Sequence, residues 1–508
     1  MGISSFIFFL CFFVFAFLLS KIILSTASKN KSSSTMKLPP GPRKLPLIGH
    51  LHLFLLRSSD PARRILRDLA LEYGPLLYLQ LGNVPTIVVT SREIAKEIFK
   101  TQDVNFANRP SLLIGEVMLY NNTDLAFAPY SDYWRQSRKI LTQELLSMKR
   151  VQSFQPVREE EFLNLCRWIA SNEGSPIDLT DRLFMTMYDI ITRISIGKKT
   201  GLHADFIPVM KQLTDASMGF QIVDYYPSNW FLRKFGGIRN AQRLHHKLDE
   251  ILEKILTDRQ ANNNAEKMHE DFLDVLLKFH GNAAGAEYTS LTSNNIKAML
   301  STIFNGATDT SSVTLDWAMA ELLKQPKLMR KAQDEVRTFY DKRGYVDESI
   351  TNELTYIKLI IKETLRLHTP GSLLLPRVNK EACMIAGYHI PANTQLFVNA
   401  WAMGRDPNYW KDAEKFIPER FLDSSLDFRG NNYEYLPFGS GKRICPGITF
   451  GIANIEFPLA MLLYHFDWVL ANGVTPEEMD MTEHNGAVST RAQHLDVIPV
   501  LKRPLPSK

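Results

Sequence analysis

Apolar residues open the chain almost without interruption. From Met1 to Ser20, MGISSFIFFLCFFVFAFLLS, no side chain is charged, and after Lys21 the run resumes with Ile22, Ile23 and Leu24. About 20 apolar residues suffice to span a bilayer. A cleaved secretory leader would place Lys or Arg ahead of an apolar stretch of about 7–15 residues. This segment does neither, so an uncleaved transmembrane anchor over residues 1–25 is expected. Lys29, Lys31, Lys37, Arg43 and Lys44 follow it, and the positive-inside rule then leaves the remainder facing the cytosol. On that side the sequons at Asn30 and Asn121 stay unglycosylated. Residues 26–42 read as a polar Ser/Lys linker that stiffens into a hinge at Pro39, Pro40 and Pro42, because proline fixes φ and resists helix.

Beyond the hinge the pattern changes to helical periodicity. Apolar positions recur at helical spacing over Ile94–Thr101, Tyr130–Leu145, Leu244–Arg259, Asn295–Leu323, Tyr356–Leu367 and Ile448–His465, the last with Pro458 as an expected kink. Pro75–Ser91 instead reads as two β-rich runs around Gly82-Asn83, a hairpin. No internal repeat and no second linker divides the rest. The expectation is one globular domain over 43–508, mainly α with a small β-sheet region.

Composition narrows the function classes. The chain has 508 residues, 45% hydrophobic and 22% charged, with net charge +5. That suits an ordinary globular core. A charge so weak and dispersed, without a basic run interleaved with aromatics, argues against nucleic acid. The four cysteines, Cys11, Cys166, Cys383 and Cys445, are far apart and match no zinc spacing. They are not a disulfide framework, which fits a reducing compartment.

Two short stretches carry chemistry. In PFGSGKRICPG, Pro437–Gly447, one cysteine sits among Gly439, Gly441, Pro446 and Gly447, ahead of a long apolar helix. Glycines let backbone amides approach one sulfur, and the positive end of the helix favours thiolate. A single thiolate in such a loop can hold an iron from one side. In IFNGATDTSS, Ile303–Ser312, Asp309 and Thr310 interrupt an apolar helix beside Gly306. Glycine costs about 1 kcal/mol there relative to alanine, and an acid in such a setting needs a reason.

The pattern F-x-x-G-x-R-x-C-x-G, carried by Phe438, Gly441, Arg443, Cys445 and Gly447, resembles the haem-binding loop of the cytochromes P-450. The likeness extends from Leu38 to about Val500, with further similarity to plant microsomal terpenoid and alkaloid oxidases in KLPPGPRKLPLIGHLH, APYSDYWRQSRKI and NNYEYLPFGSGKRICPGITFG. It implies haem b with Cys445 as axial ligand, and Trp134, Arg138, Arg377, Arg443, Gly306 and Phe438 around the cofactor. It implies a buried structural network of Glu363, Arg366 and Arg420. It also implies that Asp309 relays protons and Thr310 stabilises the outer oxygen atom, while the thiolate pushes electron density from the opposite face. One departure stands out: Ala307 occupies a position where the family usually has glycine. Back-bonding to the carbonyl four residues earlier is the competing role for Ser311 and Ser312.

Family position also marks the expected substrate contacts: Leu112, Leu113, Ile114, Val117, Met118, Leu373, Leu374, Ala487 and Val488. No Lys or Arg lies in those stretches, which suits a compact, lipophilic, neutral or weakly polar substrate. The function expected is an NADPH- and O2-dependent monooxygenase, hydroxylating or oxidatively cyclising a terpenoid or indole alkaloid. Its electrons would come from an NADPH–cytochrome P-450 reductase in the endoplasmic reticulum membrane, docked on a basic face at Lys139, Lys149, Arg150 and Lys442. Two other readings compete: a reductase-independent haem-thiolate isomerase or dehydratase, disfavoured by the Asp309-Thr310 pair, and a non-enzymatic haem-binding membrane protein.

Overall fold

The computed structural model describes residues 36–199, 203–216, 221–235, 237–261, 270–281 and 290–506. The expected anchor, most of the linker and the sequon at Asn30 lie outside them. The predicted hairpin is formed by β1 (Leu76–Leu81) and β2 (Val84–Val89), antiparallel in register Leu76↔Val89 to Leu81↔Val84. Helices follow: α1 (Leu113–Met118), α2 (Asp132–Ile140) and α3 (Gln155–Ser171), then the two-residue strand β3 (Ile177–Asp178) and α4 (Leu179–Ile196). After these come α5 (His203–Ala216), α6 (Ile238–Ala261), α7 (Ser293–Lys324), α8 (Pro326–Tyr340) and α9 (Thr355–Leu367). Short strands β4 (Arg377–Val378), β5 (Cys383–Ile385), β6 (Tyr388–Ile390) and β7 (Gln395–Val398) precede α10 (Ile448–His465), β8 (Phe466–Leu470) and β9 (Asp496–Leu501). The hairpin extends into a four-stranded sheet of order β1-β2-β7-β4, in which β2 and β7 run parallel; β3-β9-β8 and β5-β6 make two smaller sheets.

The central helix is α7. It starts at a reciprocal cap, in which Thr292 Oγ1 accepts from Asn295 N–H at 3.2 Å and Asn295 Oδ1 accepts from Thr292 N–H at 2.9 Å. Such a box satisfies two otherwise orphaned amides. Its 32 residues span about 48 Å. It packs against α4, α9 and α10 and is buried on nearly all sides from Ser311 to Leu323. α10 matches the expected Ile448–His465 and contains Pro458. By length and hydropathy it could cross a membrane, yet two thirds of it is buried in the fold, as a core helix should be.

Two helices end otherwise than their periodicity predicts. The segment expected as Ile94–Thr101 is α-helical over Arg92–Lys96 and then widens into a π turn over Glu97–Thr101. The segment expected as Tyr130–Leu145 is α2 followed by a π turn over Leu141–Leu145. Such widening often marks functional sites: the first turn ends shortly before Asp103 and the second begins shortly after Arg138, both described below.

Candidate functional site

The cysteine loop is shaped by backbone that only glycine adopts cheaply. Gly439 and Gly441 have φ of 70° and 68°, in the left-handed region. A Cβ on Gly441 would lie 2.3 Å from Asp103 Oδ1. The Asp103 carboxylate is held there because it accepts from Lys442 N–H at 2.7 Å and from Arg377 Nη1 at 3.2 Å. Cys445 N–H donates to the Phe438 carbonyl at 3.0 Å, and the Gly447 amide donates to Cys445 Sγ at 3.4 Å. Burial pushes the Cys445 thiol up; the Gly447 amide and the Arg138 charge oppose it. Amide and cation both favour the thiolate form.

Arginines gather around this loop. Ser131 caps α2, accepting from Trp134 N–H at 3.3 Å, and one turn later the helix carries Arg138. Arg138 Nη2 donates to the carbonyl of Ile444 at 2.7 Å. Arg443 is buried, its guanidinium 4.2 Å from the Trp134 ring centroid. It donates to Ala107 O at 2.8 Å and Ala128 O at 2.5 Å, and shares Leu125 O with the Trp134 indole N–H, which donates at 3.0 Å. Arg377 reaches Ser440 O at 2.7 Å. Arg109 donates to Ala126 O, Leu375 O and Pro376 O.

These cations are short of negative charge. Burial first, and Arg377 second, push the Arg443 guanidinium down to about 9. Burial pushes Arg377 down to about 10 although Asp103 opposes it, and Arg109 is pushed down by burial, Arg443 and Arg377. Asp103 and Asp124 are the acids that offset them. Asp124 is itself buried and is pushed up to about 6, despite accepting from Ala126 and Phe127 amides and Thr302. A flat group with two carboxylates and a thiolate-seeking iron fits this arrangement: it would supply the missing anions beside the one cysteine of the loop. Haem is such a group.

A second network holds the structure beneath. Glu363 and Arg366, both without accessible surface, pair through two hydrogen bonds of 2.7 and 2.8 Å. Arg420 Nε donates to the same carboxylate at 2.9 Å and Ile417 N–H at 2.7 Å. Arg366 also donates to Ala413 O at 2.7 Å and Lys415 O at 3.0 Å. Just ahead of the cysteine loop, Tyr435 donates to Lys362 O at 2.7 Å, tying α9 to the loop's approach.

On α7 the glycine leaves room. A Cβ built on Gly306 meets no atom within 4 Å, so nothing in the protein requires glycine there; the open space is what it provides. Ala307 is half-buried and packs against the main core. Thr310 Oγ1 donates to Gly306 O at 2.7 Å and Ser312 Oγ to Thr308 O at 2.9 Å. Back-bonding thus extends to Thr310, whose oxygen keeps its lone pairs as acceptors. Asp309 Oδ2 accepts from Thr214 Oγ1 of α5 at 2.8 Å. Burial pushes the Asp309 carboxyl up to about 6, with Thr214 opposing and Asp215 adding to the rise.

The apolar segments fall into separate groups. Leu112, Ile114 and Met118 join the main core, Met118 with no accessible surface, and Val488 packs on the same cluster. Leu113 is buried and Val117 partly so. Leu373 and Ala487 belong to a different cluster with Leu77 and Phe397. Leu374 lies 3.7 Å from a Cβ on Gly439, against the cysteine loop. Ser489 N–H donates to Pro370 O at 3.1 Å, and the Trp317 indole donates to Ser489 O at 2.6 Å, so these last two segments are joined to each other and to α7. Sequence reasoning missed Asp103, Arg109, Asp124, Thr214 and Asn305. Of these only Asn305 lies in a motif quoted above, IFNGATDTSS; Asp124 stands in the loop before α2.

Comparison with known proteins agrees with this geometry. A family model for cytochrome P-450 matches residues 39–497. The chain is 44% identical to salviol synthase from Salvia pomifera over 493 residues, 97% of each chain. It is 46% identical to tabersonine 16-hydroxylase 2 from Catharanthus roseus over 500 residues, 96% of this chain and 97% of that one. Among solved structures it is similar to a zebra fish cytochrome P-450 determined with abiraterone, with TM-score 0.73 and 22% identity, covering 87% of this chain and 100% of that one. That likeness speaks for the fold. Members of the family carry haem with an axial cysteine thiolate and receive electrons from NADPH through a reductase. The chain belongs to the cytochrome P-450 family and is a haem-thiolate monooxygenase.

Proposed function

We propose that the protein oxidises a compact, lipophilic plant metabolite, a terpenoid or an indole alkaloid, by hydroxylation or oxidative ring closure. Haem held through Cys445 would supply dioxygen activation, placing one oxygen atom in a C–H or C=C bond and sending the other to water. Arg138, Arg377 and Arg443, with the Trp134 indole, would receive its two carboxylates, and Phe438 and Gly306 would border its faces. Asp309 would deliver protons, and Thr310, whose hydrogen is directed to Gly306 O, would accept a hydrogen bond from the reacting oxygen. Residues 1–25 would anchor the protein in the endoplasmic reticulum, residues 26–42 would act as hinge, and residues 43–508 would face the cytosol, where a membrane-bound reductase meets them.

The observation that carries the reading is the bond from Arg138 to Ile444, next to Cys445, inside a buried cluster where four arginines face two acids, Asp103 and Asp124. The substrate class rests on two further points. No Lys or Arg lies in the apolar segments expected to face substrate, and the relatives are named for salviol and tabersonine. The test is co-expression with an NADPH–cytochrome P-450 reductase and feeding of terpene and indole-alkaloid panels, read by mass. Products heavier by one oxygen or lighter by two hydrogens, dependent on NADPH and oxygen, are expected. Turnover without either would overturn the reading. Cys445→Ala should abolish the thiolate signature in the reduced, carbon-monoxide-bound spectrum.

A further inference from the structure

We propose that Thr214 is a positioning residue for Asp309. Its hydroxyl, held between α5 and α7, partners the carboxyl in both protonation states, so the acid gains and loses its proton without moving. This rests on the reading of Asp309 as proton donor.

Thr214 is buried. Its Oγ1 lies 3.1 Å from Met210 O, 2.8 Å from Asp309 Oδ2, and in hydrogen-bond contact with the Asn305 side-chain amide. A hydroxyl has one hydrogen and two lone pairs. The Met210 carbonyl can only accept. Asn305 can present its NH2 by a half-turn of the amide, filling one lone pair. If Asp309 is protonated, it donates to the second lone pair and the Thr214 hydrogen goes to Met210 O, so these three partners are all satisfied. If Asp309 is ionised, the Thr214 hydrogen swings to Oδ2, and Met210 O still has the helical N–H of α5. The exchange needs only rotation about one C–O bond.

The surroundings suit a group that passes between both forms. Burial pushes Asp309 up to about 6, near neutrality. Asp215, on α5, raises it and Lys211, also on α5, lowers it. From the 485–490 loop, a Cβ on Gly486 would lie 3.7 Å from Asp215 Oδ1 and 3.2 Å from His484 Nδ1, which brings that loop against the α5 acid. On α7 the neighbour Thr308 is buried with no partner for its hydroxyl among the described residues. Thr214 thus gives the carboxyl a neutral partner, which favours neither charge state as a salt bridge would.

The test uses the full-length haem-loaded enzyme. Infrared difference spectra of wild type against Asp309→Asn locate the carbonyl band of the protonated acid. Thr214→Val should move that band to higher frequency, as for a carboxyl that has lost its hydrogen bond, and Thr214→Ser should return it. An unmoved band in Thr214→Val overturns the proposal. A second readout is substrate-free NADPH oxidation with reductase. Two electrons and two protons convert O2 to hydrogen peroxide; four of each give two waters. Thr214→Val should raise peroxide per NADPH by about threefold or more, with rescue by Ser. If Asp309→Asn changes the peroxide fraction and Thr214→Val does not, this inference fails alone; if Asp309→Asn changes nothing, the underlying reading fails. The carbon-monoxide spectrum controls for folding, and Asn305→Leu, expected to shift the same band, serves should Thr214→Val not retain haem.

Discussion

Arg138 and Ile444, 306 residues apart, are joined by a 2.7 Å hydrogen bond from guanidinium to carbonyl. The carbonyl belongs to the residue before Cys445, so α2 braces the cysteine loop. Arg138→Ala should cost about 1.5–3 kcal/mol, the usual worth of a bond to a charged group. Haem content per protein should fall with it. Arg138→Lys should recover little, because a point charge cannot reproduce the planar fork. Urea unfolding and haem-to-protein ratio check this.

Glu363 and Arg366 predict a larger effect. Both are fully buried, and the carboxylate accepts from Arg366, Arg420 and Ile417 N–H. Removing Glu363 leaves Arg366 and Arg420 without their carboxylate, at about 3–5 kcal/mol, while removing Arg366 leaves the carboxylate to Arg420 and the Ile417 amide alone. Glu363→Ala and Arg366→Ala are each expected to accumulate as unfolded or haem-free protein. The double variant should cost less than the sum, since Arg420 is then the one member of the trio left without its partner. Soluble yield and thermal unfolding decide it.

Asp309 links stability to pH with a definite sign. Its folded pKa of about 6 lies above the ordinary carboxyl value of 3.8. The ionised acid therefore destabilises the fold, by up to about 3 kcal/mol. That cost is absent below about pH 4, grows as pH rises to about 6 and is full above. Asp309→Asn should accordingly gain stability relative to wild type across pH 4–6 and keep a constant advantage at neutral pH, while coupled turnover drops. Denaturation at several pH values, with product per NADPH at pH 7, measures both.

Ala307 invites the reverse test. It is half-buried against the core beside Gly306. Ala307→Gly should lose about 1 kcal/mol of helix stability and change product ratio or substrate affinity by enlarging the open space beside Gly306. Unchanged turnover, product ratio and affinity would remove any role for that methyl.

The pairing of Arg443 with Trp134 gives a further expectation. The guanidinium lies over the indole and saturates carbonyls of Ala107, Leu125 and Ala128. Arg443→Leu takes this donor from the Ala107 and Ala128 carbonyls, at about 1–3 kcal/mol each, while Leu125 O keeps the Trp134 indole. Haem should dissociate faster from this variant than from wild type, as read by transfer to an apo-globin acceptor.

Much of the architecture was legible in local pattern. Apolar periodicity placed α10 to the residue and α7 within two residues at its start, because a repeat of 3.6 and a capping box act over one or two turns. Glycines around Cys445 announced a loop whose amides approach one sulfur, and Gly306 stood out as a costly residue in an apolar helix. The π turns after α2 and after Lys96 were not legible. Their apolar residues keep a helix-like spacing, and hydrogen-bond register is set by what each turn packs against.

What the sequence determined by itself is therefore the helical class, the main element boundaries and the identity of the chemically distinctive residues. Only the tertiary structure brought Asp103 to Gly441, Arg109 and Asp124 into the arginine cluster, and Thr214 to Asp309. Those partners are separated by 95 to 338 residues in the last and first cases. No local periodicity encodes such distances. They follow from the packing of buried faces, which places side chains in contact wherever the core closes, and that closure also leaves the cations around Cys445 short of anions.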